Sequence, residues 1–205
     1  MDITLKHTFR LTGPWENLLK DVDNLEKFIR RIEKYCDSDT AHLSDETQKE
    51  KRKNKFRGDA FEVFAEFLLK SHPYDRRIGI SNYFPADSSE DYGIDGYGVG
   101  TNLRNATIQI KYRGNSDREL TANNDHLTNF LGASQNHATR RVHIDDKENM
   151  LIITSAKGVN RNTDNNMLHN KVRWLGREEL KQFVDNNLPF WNEFYRATAT
   201  PIKHT

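Results

Sequence analysis

Three polar residues sit in strand-forming surroundings: Asp95 between Ile94 and Gly96, and Gln109 and Lys111 within ATIQIKY, 106–112. Successive side chains along a strand alternate between faces, so Ile108, Ile110 and Tyr112 take one face while Gln109 and Lys111 share the other. Pairing with the preceding strand brings Asp95 near both. An acid, an amide oxygen and an amine that converge in this way suit metal-assisted hydrolysis of a phosphodiester. Magnesium prefers hard oxygen ligands in an octahedron, and Asp95, Gln109 and the Ile110 carbonyl supply such oxygens. A lysine beside the ion orients or deprotonates the attacking water, whose pKa the metal lowers. Glutamine in place of a second acid leaves the set one charge short. Glu62, between Phe61 and Val63 on the border of a helical apolar stripe, is the natural supplier, with Glu66 one turn further on, and the pattern does not choose between them. The competing account makes Asp95 a turn cap and sends Gln109 and Lys111 to solvent on a half-exposed strand.

The elements that must position these residues follow from apolar spacing. Trp15, Leu18, Leu19, Val22, Leu25, Phe28, Ile29, Ile32 and Tyr35 recur at three- and four-residue steps, which predicts one helix with a buried stripe. Polar residues 37–48 then read as a connector, and Ser44, Asp45 and Glu46 as the start of the next helix. That helix runs to about Lys70 with Phe56, Ala60, Phe64, Phe67 and Leu68 buried and Gly58 as an interruption. His72-Pro73 ends it. Strands are predicted over 77–83, 93–98 and 107–113, the last two forming a hairpin through the turn-rich GVGTNLRN. A helix over 126–135, strands over 150–154 and 172–175, and helices over 177–183 and 189–197 complete an α/β order: a mixed β-sheet flanked by helices, with an N-terminal helical extension. The division expected is an extension with its connector over 1–43 and a main domain with a C-terminal helix over 44–205.

Composition narrows the function classes. Of 205 residues, 30% are charged and 35% apolar, and 31 Lys plus Arg oppose 30 Asp plus Glu for a formal charge of +1. A polycation that coats nucleic acid by bulk charge is excluded, so any contact with nucleic acid must come from local patches. The single cysteine, Cys36, rules out an internal disulfide or a Cys-rich zinc site and suits packing. No run approaches the ~18 apolar residues that span a bilayer, and the N-terminus lacks a signal-peptide core. The expectation is a cytoplasmic protein of a bacterial or phage-infected cell, with no membrane partner.

At these residues the chain resembles the PD-(D/E)xK nuclease superfamily, and within it the Mrr-like restriction endonucleases, whose acidic motif position is often glutamine. Gly58 to Glu62 resembles the family's first-helix pattern, DYGIDG at 91–96 its glycine-flanked acidic strand, and Gln109-Ile110-Lys111 its QxK strand. LIITSAKGVN at 151–160 is similar to its later strand ending in threonine, and VRWLGREELKQFV at 172–184 to its closing strand and helix. The resemblance covers roughly 56–184. It implies a restriction-endonuclease-like fold in which Asp95 and Gln109 bind metal with the Ile110 carbonyl, Lys111 serves the nucleophile and Glu62 completes the acidic cluster. The cofactor implied is Mg2+, with Mn2+ as substitute. A literal PxD at Pro85-Ala86-Asp87 competes with Asp95 but lies in a polar loop, and Asp91 reads as a turn former.

The remaining candidates concern partners. Lys49, Lys51, Arg52, Lys53, Lys55 and Arg57 place six basic residues in nine, which suits either a DNA phosphate backbone or a solvated helix face. Arg113, Arg76-Arg77 and Arg140-Arg141 are further possible contacts, and Gln135 could approach DNA or the lysine. An HNH-type alternative built on Asp125-His126, Asn136-His137 and Asn149 fits the spacing poorly, and His143 and His169 show no zinc-ligand spacing. The reading is therefore a Mg-dependent endodeoxyribonuclease, serving restriction, homing or phage DNA metabolism. Double-strand cleavage would favour a homodimer. Its rivals are a nucleic-acid-binding or assembly module of the same fold without catalysis, and a nuclease for RNA or branched DNA.

Overall fold

The computed structural model describes residues 3–86, 93–115, 117–121, 125–141, 149–160 and 172–199, with the side chains of 135–141 outside that description. The chain divides into two compact units, residues 1–67 with 180–205, and residues 68–179.

In the first unit the expected single N-terminal helix is two: α1, Trp15–Leu19, and α2, Leu25–Thr40. Asp21 adopts φ 56°, a left-handed conformation that stops a helix, and Asn24 restarts it by accepting the Lys27 N–H at 2.8 Å. The apolar spacing runs through this break, so it hid the break from the sequence. Trp15, Leu18, Leu19, Val22, Leu25, Phe28, Ile29 and Ile32 are all buried, while Tyr35 is half-buried and stacks on Phe56. Helix α2 also runs on to Thr40, because Cys36 and Thr40 continue its buried stripe. Burial pushes the Cys36 thiol up to about 12, which keeps it protonated and inert. The connector shrinks to 41–45.

Helix α3, Glu46–Ser71, starts where Asp45 Oδ1 accepts the N–H groups of Thr47 and Gln48 at 2.8 and 3.1 Å. It passes Gly58 without a break, and a Cβ there would meet nothing. The aromatic core of this unit joins Phe28 of α2 and Phe64 and Phe67 of α3 to Phe190, Trp191 and Phe194, which lie on a helix at Leu188–Ala199. Each such side chain contributes about 1.5–3 kcal/mol on burial. Two contacts fasten the break between α1 and α2 to the chain before that helix: Leu25 N–H donates to Asp185 Oδ1 and Asn186 N–H to the Asp23 carbonyl, both at 2.9 Å.

The second unit holds a five-stranded mixed sheet in the order β1-β2-β3-β5-β7, flanked by helices. Strands β1, Ile80–Pro85, β2, Gly96–Gly100, and β3, Asn105–Lys111, pair antiparallel. After β4, Glu119–Leu120, and α4, Leu127–Arg141, strands β5, Met150–Thr154, and β7, Arg173–Leu175, extend the sheet in parallel from β3. The two-residue strands β4 and β6, Gly158–Val159, form a separate small parallel pair that the sequence did not signal. The chain leaves β7 into α5, Arg177–Val184, and the final helix at Leu188–Ala199 is α6.

Residues 106–110 of β3 and all of β5 are buried on both faces, as befits strands between two covered layers. On one face Leu127, Phe130 and Leu131 of α4 pack against Met150 and Ile152. Gly96 is a close-approach position, since a Cβ there would overlap the Tyr83 ring. Among the described residues no helix is long and apolar enough to cross a membrane.

Candidate active site

The hairpin residues come together as the alternation required. Asp95 lies one residue ahead of β2 and joins the ladder, its N–H donating to the Ile108 carbonyl at 2.9 Å and its own carbonyl accepting from Ala86 N–H at 3.0 Å. Gly96 pairs with Ile108, so Asp95 falls opposite Gln109. The Asp95 carboxylate crosses to β3, where Oδ2 accepts the Ile110 N–H at 2.6 Å. Ile108, Ile110 and Tyr112 are buried on the other side, as expected.

Gln109 does not face solvent. It is 1% exposed, and its Oε1 has no hydrogen-bond partner among the described residues. A buried amide oxygen without a partner costs about 1–3 kcal/mol, so it calls for an explanation. Lys111, two residues on along the same face, is half-buried, and its ammonium has no partner among the described residues. Its carbonyl is held by the Thr154 hydroxyl at 2.8 Å and by Ser155 N–H at 3.2 Å. Ser155 also grips Arg113, its hydroxyl accepting Arg113 N–H at 2.6 Å and donating to the Arg113 carbonyl at 2.9 Å. Thr154 and Ser155 therefore fix the chain on which Lys111 is carried. The threonine that closes LIIT was the only sequence sign of this.

The donor set fits a hard divalent cation in kind. Asp95 offers a carboxylate, Gln109 an unpaired buried oxygen, and Ile110 a carbonyl on the same strand. It is poor in charge, and no cluster of three or more His, Cys, Asp or Glu suited to a metal occurs among the described residues.

Glu62 and Glu66 belong to the first unit. Glu66 is fully buried and accepts the N–H groups of Lys6 and His7 at 2.7 and 2.9 Å. Glu62 is half-buried and meets His7 Nε2 at 2.9 Å. Burial opposes charging the His7 imidazole, but Glu62, with Asp59 and Glu66 behind it, outweighs that and raises its pKa. Sequence reasoning missed His7, which lies in a segment without periodicity.

The basic run has carboxylate partners almost throughout. Lys49 meets Glu46, Arg52 Asp39, Lys53 Asp37, Lys55 Asp59, and Arg57 both Glu33 and Glu50. Lys51 alone has no such partner among the described residues. Arg113 is held by the fully buried carboxylate of Asp125, to which Nε donates at 2.9 Å alongside Nη2, and by the Tyr112 carbonyl at 2.6 Å. Arg77 is paired with Asp75. Asn149 is buried and spans the β2–β3 turn, bonding Asn102 and the carbonyls of Arg104 and Asn105, so it and Asp125 serve the frame. Asp87, Asp91, His143 and His169, with the side chains of Gln135, Asn136, His137, Arg140 and Arg141, lie outside the described residues.

Comparison with protein-family models, with curated proteins and with solved structures returns no match.

Proposed function

We propose that this chain is a metal-dependent phosphodiesterase acting on DNA, an endodeoxyribonuclease with its reacting centre at the β2–β3 pair. The observation that carries this reading is the Gln109 Oε1, buried without a partner beside a carboxylate fixed by the Ile110 N–H. Burying an oxygen unpaired costs stability, and a cation is the partner that would recover it. The resemblance to PD-(D/E)xK nuclease domains of the Mrr-like type supports the same set.

Asp95, Gln109 and the Ile110 carbonyl would hold the ion. Magnesium bound there lowers the pKa of a water and neutralises charge on the phosphate. Asp95 presents a carboxylate oriented by the Ile110 N–H, on the strand position opposite Gln109. Lys111, whose backbone is clamped by Thr154 and Ser155, offers its ammonium to the attacking water or a phosphate oxygen. The part of Glu62 rests on the resemblance alone. Because five of the six basic side chains at 49–57 already meet a carboxylate, Lys51 is the residue of that run with most charge to give a backbone phosphate.

The test is plasmid cleavage with and without Mg2+, comparing wild type with Asp95→Ala and Lys111→Ala. Mg-dependent nicking that both substitutions abolish is expected, and full activity in either variant would sink the assignment. The single carboxylate on this hairpin also favours a second reading, a DNA-binding module that kept the frame and lost catalysis. Calorimetric titration separates the two, since a degenerate site takes up no Mg2+ or Mn2+ in an Asp95-dependent way.

A further inference from the structure

Beyond Lys111 the second unit carries a group of cations whose charges are not all met. Strand β3 ends at Lys111 and β5 at Thr154, and these two residues are partners across the parallel pair. The segments that follow stay together. Ser155 holds Arg113 through its hydroxyl, and Lys157 N–H donates to the Arg118 carbonyl at 2.9 Å. Arg177, itself buried, braces both segments, its Nη1 donating to the carbonyls of Gly114 and Ser155 at 3.2 and 3.1 Å. Lys111, Arg113, Arg118 and Lys157 are thus carried on one frame at the carboxyl ends of parallel strands, where ligands of open α/β sheets bind.

The acid paired with them is Asp125, whose side chain is fully buried. Its Oδ2 accepts the Thr121 N–H at 2.7 Å. Its Oδ1 accepts Nε and Nη2 of Arg113, whose Nη1 is held by the Tyr112 carbonyl, so Arg113 is fully engaged. Arg118 Nη2 reaches the same Oδ1 only at 3.6 Å, beyond hydrogen-bond distance. One carboxylate therefore faces two guanidinium groups, and the second keeps its donors. The Arg118 side chain is 47% exposed and makes no hydrogen bond among the described residues. Lys157 is exposed, and its ammonium has no partner among them either. Asp117 and Glu119 flank Arg118 in the chain, yet among the described residues neither forms an ion pair with it or with Lys157.

We infer that Arg118 and Lys157 form a phosphate subsite, which holds a neighbouring linkage of the DNA strand whose scissile phosphate lies at Lys111. This rests on the proposed nuclease function and names the part of the substrate gripped beside the cut. A guanidinium offers a planar fork of donors that matches phosphate oxygens, and an ammonium adds a point charge. The three residues from Thr154 to Lys157 span at most about 10 Å. Each strand of a duplex carries a charge every ~3.4 Å along the axis, so the linkage gripped is within about three of the cut. A contact to the backbone sets register and affinity and reads no base.

The experiment uses the full chain and a labelled DNA duplex, with binding followed by fluorescence anisotropy in chelator over a salt series and cleavage followed in Mg2+. Wild type is compared with Arg118→Gln, Arg118→Lys, Lys157→Gln and Lys20→Gln, the last removing one charge from an exposed position outside the subsite. Arg118→Gln and Lys157→Gln should each flatten the slope of log affinity against log salt by about 0.9, while Arg118→Lys keeps the wild-type slope. Lys20→Gln should leave it unchanged. A neutral methylphosphonate placed at one linkage at a time should find a position near the cut that weakens wild type and not the Arg118→Gln, Lys157→Gln double variant. Lys157 is a surface residue, so Lys157→Gln decides the matter even where Arg118→Gln melts below wild type. A wild-type slope in Lys157→Gln overturns the subsite, as does equal flattening by Lys20→Gln, which would mean attraction by bulk charge. A wild type that binds no DNA overturns it too. The expected slopes without Asp95-dependent cleavage leave the subsite standing and remove the nuclease reading, whereas Asp95-dependent cleavage with unaltered slopes does the reverse.

Discussion

The Asp95 carboxylate is tied to the strand that carries Gln109 and Lys111, its Oδ2 accepting the Ile110 N–H at 2.6 Å. The side chain therefore has two duties, a structural one through this bond and an electrostatic one through its charge. Asp95→Ala strands the Ile110 N–H and should cost about 1–3 kcal/mol in equilibrium denaturation. Asp95→Asn keeps an oxygen that can accept the bond and should cost less than half as much, while losing Mg-dependent cleavage as completely as alanine does. Equal stabilities for the two variants would show that the bond contributes nothing.

The pairing of the basic run makes a second expectation specific. Arg57 is 18% exposed at its side chain and held by Glu33 at 2.7 Å. Arg57→Ala should therefore lower stability by about 1–2 kcal/mol, between a surface pair and a well-buried charged bond. Lys51→Ala should stay within about 0.5 kcal/mol of wild type. In DNA binding the order reverses. Lys51→Ala should flatten the slope of log affinity against log salt by about 0.9, one phosphate contact, and Arg57→Ala should leave it unchanged. An equal flattening by both would mean that DNA pulls Arg57 away from Glu33.

The contrast shows what was legible in the chain. Alternation in ATIQIKY gave the shared face of Gln109 and Lys111, and the flanking turn gave the partner strand of Asp95, because both rest on the two-residue period of a strand. The same period says nothing about how deep a face lies, so the burial of Gln109 was invisible: it depends on α4 packing over β3 and β5. The partners of Arg52, Lys53 and Arg57 were equally hidden, since Asp39, Asp37 and Glu33 lie 13 to 24 residues back on α2. Helical spacing carried from Trp15 to Ile32 across the break at Asp21, because α1 and α2 bury the same kind of stripe. The α/β order of the longer elements was readable, as each has its own apolar period, whereas the two-residue strands β4 and β6 are too short to show one.

The turn that leads from α3 into β1 offers a pH test. Arg77 holds the Asp75 carboxyl down to about 2, chiefly through its side-chain hydrogen bonds, against some opposing burial and with help from its own N–H. A carboxyl whose folded pKa is depressed contributes stability above its unfolded value of about 3.9, and loses it as pH falls toward 2. Carbon-detected NMR of the Asp75 carboxyl should give a midpoint near 2, and Arg77→Ala should move it back toward about 3.9. A wild-type midpoint near 3.9 would show that the pair does not persist in solution.

The orphan oxygen of Gln109 gives the sharpest stability test of the site. Its side chain makes no hydrogen bond to a described residue, so Gln109→Leu, close in volume, removes an unpaired buried group without breaking a bond. Stability should rise by about 1–2 kcal/mol while Mg-dependent cleavage disappears, the trade expected where a residue is kept for function at the expense of the fold. Gln109→Glu should do the opposite. A second carboxylate opposite Asp95 repels it in the absence of metal and binds a divalent ion more strongly when one is present. Its melting temperature should fall below wild type in chelator and rise with Mg2+ by more than wild type does, as binding to the folded state alone requires. A Gln109→Leu variant that is less stable than wild type would mean the amide is held by the protein itself, and the main support for a cation at this face would be gone.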